Sequence, residues 1–153
     1  MHPIPAPSID DLPCACSALR RTARALTLAY DEALRPTGLR IGQFSILRRL
    51  RAVGQITVAE LAELLALDRT TLARNLKPLE RDALVGVRVG SDRRERLLAL
   101  TPQGAAALEG AVPLWLEANA RFNAQYGETR TARLHKELAA AAAVGGEMGQ
   151  EQQ

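Results

Sequence analysis

Apolar residues recur at helical spacing along most of the chain. Between Pro13 and about Leu34 they fall at Leu19, Ala23, Leu26, Tyr30 and Leu34, steps that line one side of a helix. Arg35-Pro36-Thr37-Gly38 breaks the pattern. A second helix is predicted from about Gly42 to Val53, with Phe44, Leu47, Leu50 and Val53 turned inward. Gly54-Gln55 is a short connector ending in Ile56. Thr57-Val58-Ala59-Glu60 has the form of a capping box, in which the hydroxyl takes the third helical N–H and the carboxylate reaches back. It predicts a short helix to about Leu65. Asp68 suits the N-cap of a longer helix to about Ala83, with Leu72, Leu76, Leu79 and Ala83 inward. Pro78 removes an N–H there and crowds the Arg74 carbonyl, a cost of roughly 3 kcal/mol. The apolar period continues beyond it, so a kink is expected rather than an end.

A short helix, a tight turn and a longer helix form a helix-turn-helix. After it the period changes. Residues 84–89 and 96–100 are apolar and strand-length, and the polar loop Gly90-Ser-Asp-Arg-Arg-Glu95 between them has turn chemistry. A hairpin in that position is a wing. Thr101-Pro102 then suits a helix start, for a helix reaching about Tyr126 and irregular near Pro113. Gly127 separates it from a last helix over about 129–144, which Gly145-Gly146 ends. The expected fold is mainly α with a small β-hairpin wing. Residues 36–101 form a winged helix-turn-helix, 13–35 and 102–144 a helical region, 1–12 a Pro-rich flexible arm and 145–153 a flexible tail.

Composition narrows the function. A chain of 153 residues with 47% hydrophobic and 24% charged residues fits one ordinary domain with helical extensions. Aromatics are 3%, so the core must be built from Leu, Ala and Val. There is no run of about 18 apolar residues and no signal-peptide pattern, which predicts a cytoplasmic protein with no membrane partner and reduced thiols at Cys14 and Cys16. His2 and His135 are remote from paired carboxylates, and no Gly-rich phosphate loop occurs. An enzyme is not expected, nor a cofactor.

The net charge of +3 is modest, but it is unevenly placed. Between Arg69 and Arg96 stand eight basic and four acidic residues, a net of +4, so the rest of the chain sums to −1. Basic charge therefore gathers where the geometry would place a nucleic acid. The helix from Asp68 presents Arg69, Thr70, Thr71, Arg74, Asn75 and Lys77 away from its leucines. Hydroxyls at a helix start can approach phosphates, Arg can pair with guanine and Asn with adenine. For a lone helix this would read as a solvated face; as the second helix of a helix-turn-helix it reads as double-stranded DNA recognition. Arg93 and Arg94 at the hairpin tip can enter a minor groove, with Asp92 pairing a loop arginine and fixing its direction. A winged-helix protein-interaction module without DNA binding is the alternative.

Asp92, Arg94, Leu100 and Thr101 fit the wing motif D-x-R, five residues, L-T without a gap. With GLRIGQFSIL at 38–47, ITVAELAELLALDRTTLARNLKPLERDALV at 56–85 and LTPQG at 100–104, the chain resembles the MarR family of transcriptional regulators over about residues 14–140. The resemblance implies that Arg94 is the minor-groove arginine and Asp92 its partner. It also implies a homodimer joined through the N- and C-terminal helices, a pseudo-palindromic operator, and repression as the default. The Ala- and Leu-rich terminal helices suit a dimer, although they could instead pack on their own domain.

Many relatives of this kind release DNA on binding a small aromatic or phenolic compound, or on cysteine oxidation. Cys14 and Cys16 form a C-x-C near a helix start, where N–H groups and Arg20 and Arg21 favour the thiolate. Cys16 is similar in placement to the sensing cysteine of the organic-hydroperoxide branch, but that branch's second tyrosine corresponds to Arg20 here. A thiophilic metal would need more ligands than C-x-C supplies, so no metal site is assigned, and two chemically silent cysteines are the alternative. Tyr30, Phe44 and Trp115 are candidates to line an effector pocket, with Arg24 meeting a carboxylate; core packing explains the aromatics equally well.

Overall fold

A computed structural model describes residues 13–92 and 95–150 of the chain. The elements run α1 (Ala15–Leu34), a 3-10 turn (Arg35–Thr37), α2 (Ile41–Val53), β1 (Gln55–Thr57), α3 (Val58–Leu64), α4 (Arg69–Arg81), β2 (Val85–Val89), β3 (Arg96–Leu100), α5 (Pro102–Tyr126) and α6 (Glu128–Gln150). The winged helix-turn-helix is thus present in the expected order. The arm 1–12, the wing-tip residues Arg93 and Arg94, and residues 151–153 lie outside the described residues. The chain divides into two units, one ending at Ala111 and one beginning at Val112.

In the first unit, α1, α2, α3, α4 and the start of α5 close on a leucine core. Leu34, Leu47, Leu50, Leu61, Leu72, Leu79, Leu98 and Leu108 are all buried, together with Phe44 and Ile46. Two residues expected inside are not. Val53 is 44% exposed, because α2 ends there against Gly54 at φ +80°. Ala83 is exposed: it lies beyond the end of α4 at φ +54°, so the helical period no longer places it. On α1, Leu34 is buried and Leu26 and Tyr30 half-buried, while Leu19 and Ala23 are exposed. Within the first unit α1 packs on α2.

The wing has a third strand, β1, where the sequence pattern predicts only a connector. β1 pairs antiparallel with β3 from Gln55↔Ala99 to Thr57↔Leu97, and β2 pairs with its other edge from Val85↔Leu100 to Val89↔Arg96. The order is β1-β3-β2. β3 thereby satisfies backbone groups on both sides, and the edge a two-stranded hairpin would leave open is covered. Ile56 and Thr57, two β-branched residues after Gly54, were the available signal.

Helix starts follow the sequence closely. The Thr57 hydroxyl accepts from the Glu60 N–H at 3.2 Å, and the Glu60 carboxylate accepts from the Thr57 N–H at 2.9 Å. α4 continues through Pro78 to Arg81, with the Arg74 carbonyl losing its i+4 donor at an exposed residue where water can replace it. α6 runs through Gly145 and Gly146 to Gln150, six residues past the expected stop. Neither glycine has positive φ, so neither turns the chain, and the alanine run before them propagates the helix. In the second unit Phe122 stacks on Tyr126 with centroids 5.3 Å apart, and the Arg130 guanidinium lies 4.3 Å over the Tyr126 ring. No described helix is long and apolar enough to cross a membrane.

One junction locks the recognition helix to the sheet. The Thr101 hydroxyl donates to the carbonyls of Ala83 at 2.7 Å and Leu84 at 3.1 Å, and accepts from the Gly104 N–H at 2.9 Å. The residue that ends β3 therefore also caps α5 and ties down the exit from α4. Gly104 permits this closeness, because a Cβ there would collide with the Leu84 carbonyl oxygen. Two substitutions at the junction should act in opposite directions. Gly104→Ala is expected to lower unfolding free energy by about 3 kcal/mol or more through forced displacement. Ala83→Gly should raise it by about 1 kcal/mol by relieving left-handed backbone strain. Urea unfolding of both variants checks the pair.

Candidate nucleic-acid interface

The leucines of α4 decide which of its residues reach solvent. With Leu72, Leu76 and Leu79 buried, Arg69, Thr70, Ala73, Arg74, Lys77 and Arg81 are exposed. Arg69, Arg74 and Lys77 form no salt bridge among the described residues. Arg81, counted as basic from sequence, is held by Asp82 through two contacts of 2.7 and 3.0 Å. Its charge is locally answered, and it contributes less to an anion-attracting field.

The six α4 residues singled out by sequence divide into two groups. Arg69, Thr70, Arg74 and Lys77 point outward. Thr71 and Asn75 are half-buried on the flank, and both are occupied. The Thr71 hydroxyl donates to Asp68 Oδ2 at 2.6 Å, and Asn75 Nδ2 donates to the Thr71 carbonyl at 2.9 Å. A substituent on Gly42 of α2 would lie 2.8 Å from Asn75 Oδ1. Periodicity alone could not separate these residues from the outward set, since the difference depends on where α2 lies.

Asp68 caps α4 through both carboxylate oxygens, one taking the Thr71 N–H at 2.9 Å and the other its hydroxyl. These bonds hold the Asp68 carboxyl below its usual pKa, the hydroxyl having the larger effect. Glu60 is lowered in the same way by the Thr57 hydroxyl and N–H. The wing is tied to α4 at its base. Arg96 Nη2 on β3 contacts Glu80 Oε2 at 3.1 Å and Oε1 at 3.3 Å, a bridge across 16 positions that no local pattern announces. Further out, the loop closes through Gly90 N–H to the Glu95 carbonyl and Glu95 N–H to the Asp92 carbonyl, each at 2.9 Å. Beside this root lies a cleft of about 350 Å³ lined by Thr57, Val58, Ala59, Arg69, Glu95 and Arg96.

The candidate effector-pocket residues fall in both units, three in the first and Trp115 in the second. Phe44 is only 1% exposed and is a core residue, so no ligand reaches it without opening the core. Arg24 is exposed and Tyr30 half-buried on α1, with the Tyr30 hydroxyl pushed up in pKa by burial. Trp115 is half-buried in the second unit. A cleft of about 390 Å³ at the end of α1 is lined by Leu28, Asp31, Glu32, Arg35, Gly38, Leu39 and Arg40, none of the four. Cys14 and Cys16 are exposed free thiols. Cys14 occupies the N-cap of α1, and hydrogen bonds from the Ser17 backbone and side chain lower its pKa. No group of three or more metal-ligating side chains occurs among the described residues.

Comparison with known proteins agrees with this arrangement. The MarR family model matches residues 39–95, from the approach to α2 through the wing. An HTH-type transcriptional regulator of Bacillus subtilis, YwoH, is 35% identical over 85 residues, 56% of this chain and 62% of its own length. The match thus spans less than two thirds of that relative. The Mycobacterium tuberculosis transcriptional regulator MosR, solved in complex with DNA, is 44% identical with a TM-score of 0.75, covering 86% of this chain and 98% of that one. A MarR family regulator from Rhodococcus is 25% identical with a TM-score of 0.72, covering 82% and 89%.

The α4 cap makes a pH-dependent contribution. Because the folded state holds Asp68 below its unfolded pKa, the stabilisation is complete above the ordinary aspartate range. It is lost as pH falls through the depressed folded-state value. Asp68→Ala should therefore unfold at lower urea than the parent at neutral pH, with the gap closing in acid. Paired urea melts across pH test this.

Proposed function

The chain belongs to the MarR family of transcriptional regulators, and on that premise we propose that it binds double-stranded DNA as a homodimer and represses transcription by occupying a pseudo-palindromic operator. Each copy lays α4 in a major groove, with the two half-sites about 10 base pairs apart centre to centre. The observation that carries the reading is the outward side of α4. Arg69, Thr70, Arg74 and Lys77 are exposed there opposite a fully buried leucine stripe, and α4 is the second helix of the helix-turn-helix. Its closeness to MosR, which was solved with DNA, supports the same partner. Arg74 and Lys77 supply charge and guanine-type donors, Thr70 a small hydroxyl, and Arg93 and Arg94 at the wing tip a minor-groove contact oriented by Asp92.

Dimerisation is supported by apolar side chains left in solvent on the terminal helices. Leu19 and Leu28 on α1, Leu116 on α5, and Leu138, Val144 and Met148 on α6 are between 38% and 65% exposed. Isolated exposed apolar side chains are ordinary, but six on three terminal helices favour a second copy. Release of DNA follows either from a small aromatic or phenolic acid, with Arg24 meeting its carboxylate near Tyr30, or from oxidation of Cys14 and Cys16. The exposure of both thiols and the lowered pKa of Cys14 support the second trigger.

Genome-wide footprinting identifies the operator, and fluorescence anisotropy on that duplex then tests the contacts. Arg74→Ala and Arg94→Ala should each weaken binding on the order of tenfold. Log affinity should fall steeply with log salt, and removing one phosphate-facing cation such as Arg69 should reduce the slope by about 1. Unchanged binding by Arg94→Ala would favour the protein-interaction alternative. Binding by the parent that is indifferent to both peroxide and aromatic acids would remove the proposed triggers.

A further inference from the structure

We infer that Asn75 is a positioning residue, not a base reader, and that its seat against Gly42 makes the N-terminus of α2 the point where α1 and α4 are held in register. The inference rests on the DNA-binding reading for its functional consequence, and its geometry lies wholly within the first unit. Gly42 is the second residue of α2. A Cβ there would stand 2.8 Å from Asn75 Oδ1, 3.3 Å from Cγ and 3.5 Å from Nδ2. The amide lies closer than ordinary contact to where the Cβ of any other residue would stand. Its nitrogen is committed to the Thr71 carbonyl at 2.9 Å, one turn back on its own helix. That bond directs the oxygen toward α2.

The adjacent residue of α2 is held from the other side. The Ile41 N–H donates to Asp31 Oδ1 of α1 at 2.7 Å. Ile41 thus gives its N–H to a carboxylate oxygen from α1, and an amide oxygen from α4 lies close beside Gly42. Both oxygens suit that place, because the first N–H groups of a helix lack intrahelical acceptors and concentrate partial positive charge. An asparagine so engaged cannot offer its donor–acceptor pair to an adenine edge. Reading falls to Thr70, Arg74 and Lys77, and the tilt of α4 is set by the fit of residue 75 against residue 42. A displacement of α1 reaches α4 by the same route, through Asp31, the start of α2 and Asn75.

The test is a double-mutant cycle on the full chain, using a duplex that the parent selects from a random-sequence pool. Gly42→Ala is expected to weaken binding on the order of tenfold or more, by expelling the amide and shifting α4. Asn75→Ala should weaken it by less than about threefold and, on renewed selection, return the same base preference. The double variant should bind like Asn75→Ala alone, since the amide supplies every neighbour closer than 3.5 Å to the added methyl. Rescue of a Gly42→Ala chain that fails to fold by adding Asn75→Ala would support the contact equally. Relaxed preference at one base pair in Asn75→Ala, or a loss from Gly42→Ala that persists in the double variant, would overturn the inference. Urea unfolding of the same four proteins separates the two levels. Non-additive unfolding free energies in a parent that selects no duplex would reject the DNA reading while keeping the contact, whereas additive ones would reject the contact itself.

Discussion

Burial of Leu72, Leu76 and Leu79 fixes the rotation of α4 about its own axis, and every other property of the interface depends on that rotation. Each of these side chains is at most 3% exposed, and withdrawing one from water is worth about 1.5–3 kcal/mol. A turn of the helix sufficient to hide Arg74 or Lys77 would bring leucine into solvent and charge into the core. Neither is tolerable. The hydrophobic effect, which is itself indifferent to DNA, thus decides which polar residues are presented.

Rotation alone does not give an interface, because the wing must stand in a constant relation to the helix. Two unlike attachments supply it. At the exit of α4 the Thr101 hydroxyl binds the carbonyls of Ala83 and Leu84, and Gly104 lets α5 pass against them. Closer to the wing root, Glu80 and Arg96 pair across the gap between helix and strand. The first is a neutral hydrogen-bonded junction partly shielded from water. The second is a partly exposed ion pair, and such pairs contribute about 0–1 kcal/mol and weaken with salt. The hydroxyl junction therefore holds the frame, and the ion pair trims the angle of the wing.

The same economy of side chains appears at the start of α2. Asp31 of α1 accepts from Ile41 there, and Asn75 of α4 lies against the next residue, Gly42. Short polar contacts around a helix terminus leave little slack between the elements they join.

Local patterns in the sequence specified the element order, the caps at Thr57, Asp68 and Thr101, the leucines of α4, and the family wing motif at Asp92, Arg94, Leu100 and Thr101. Each of these is settled within a few residues, by helical period, by a hydroxyl or carboxylate one turn from the N–H it accepts, or by turn chemistry. What the fold alone decided involves residues far apart in the chain. β1 exists because β3 offers it an edge, Arg96 meets Glu80 across a 16-residue separation, Phe44 is buried in the core, and Asn75 is half-buried beside α2. Periodicity gives the angle of a residue around its own helix, but whether that angle meets water or a neighbour depends on elements placed by the whole chain.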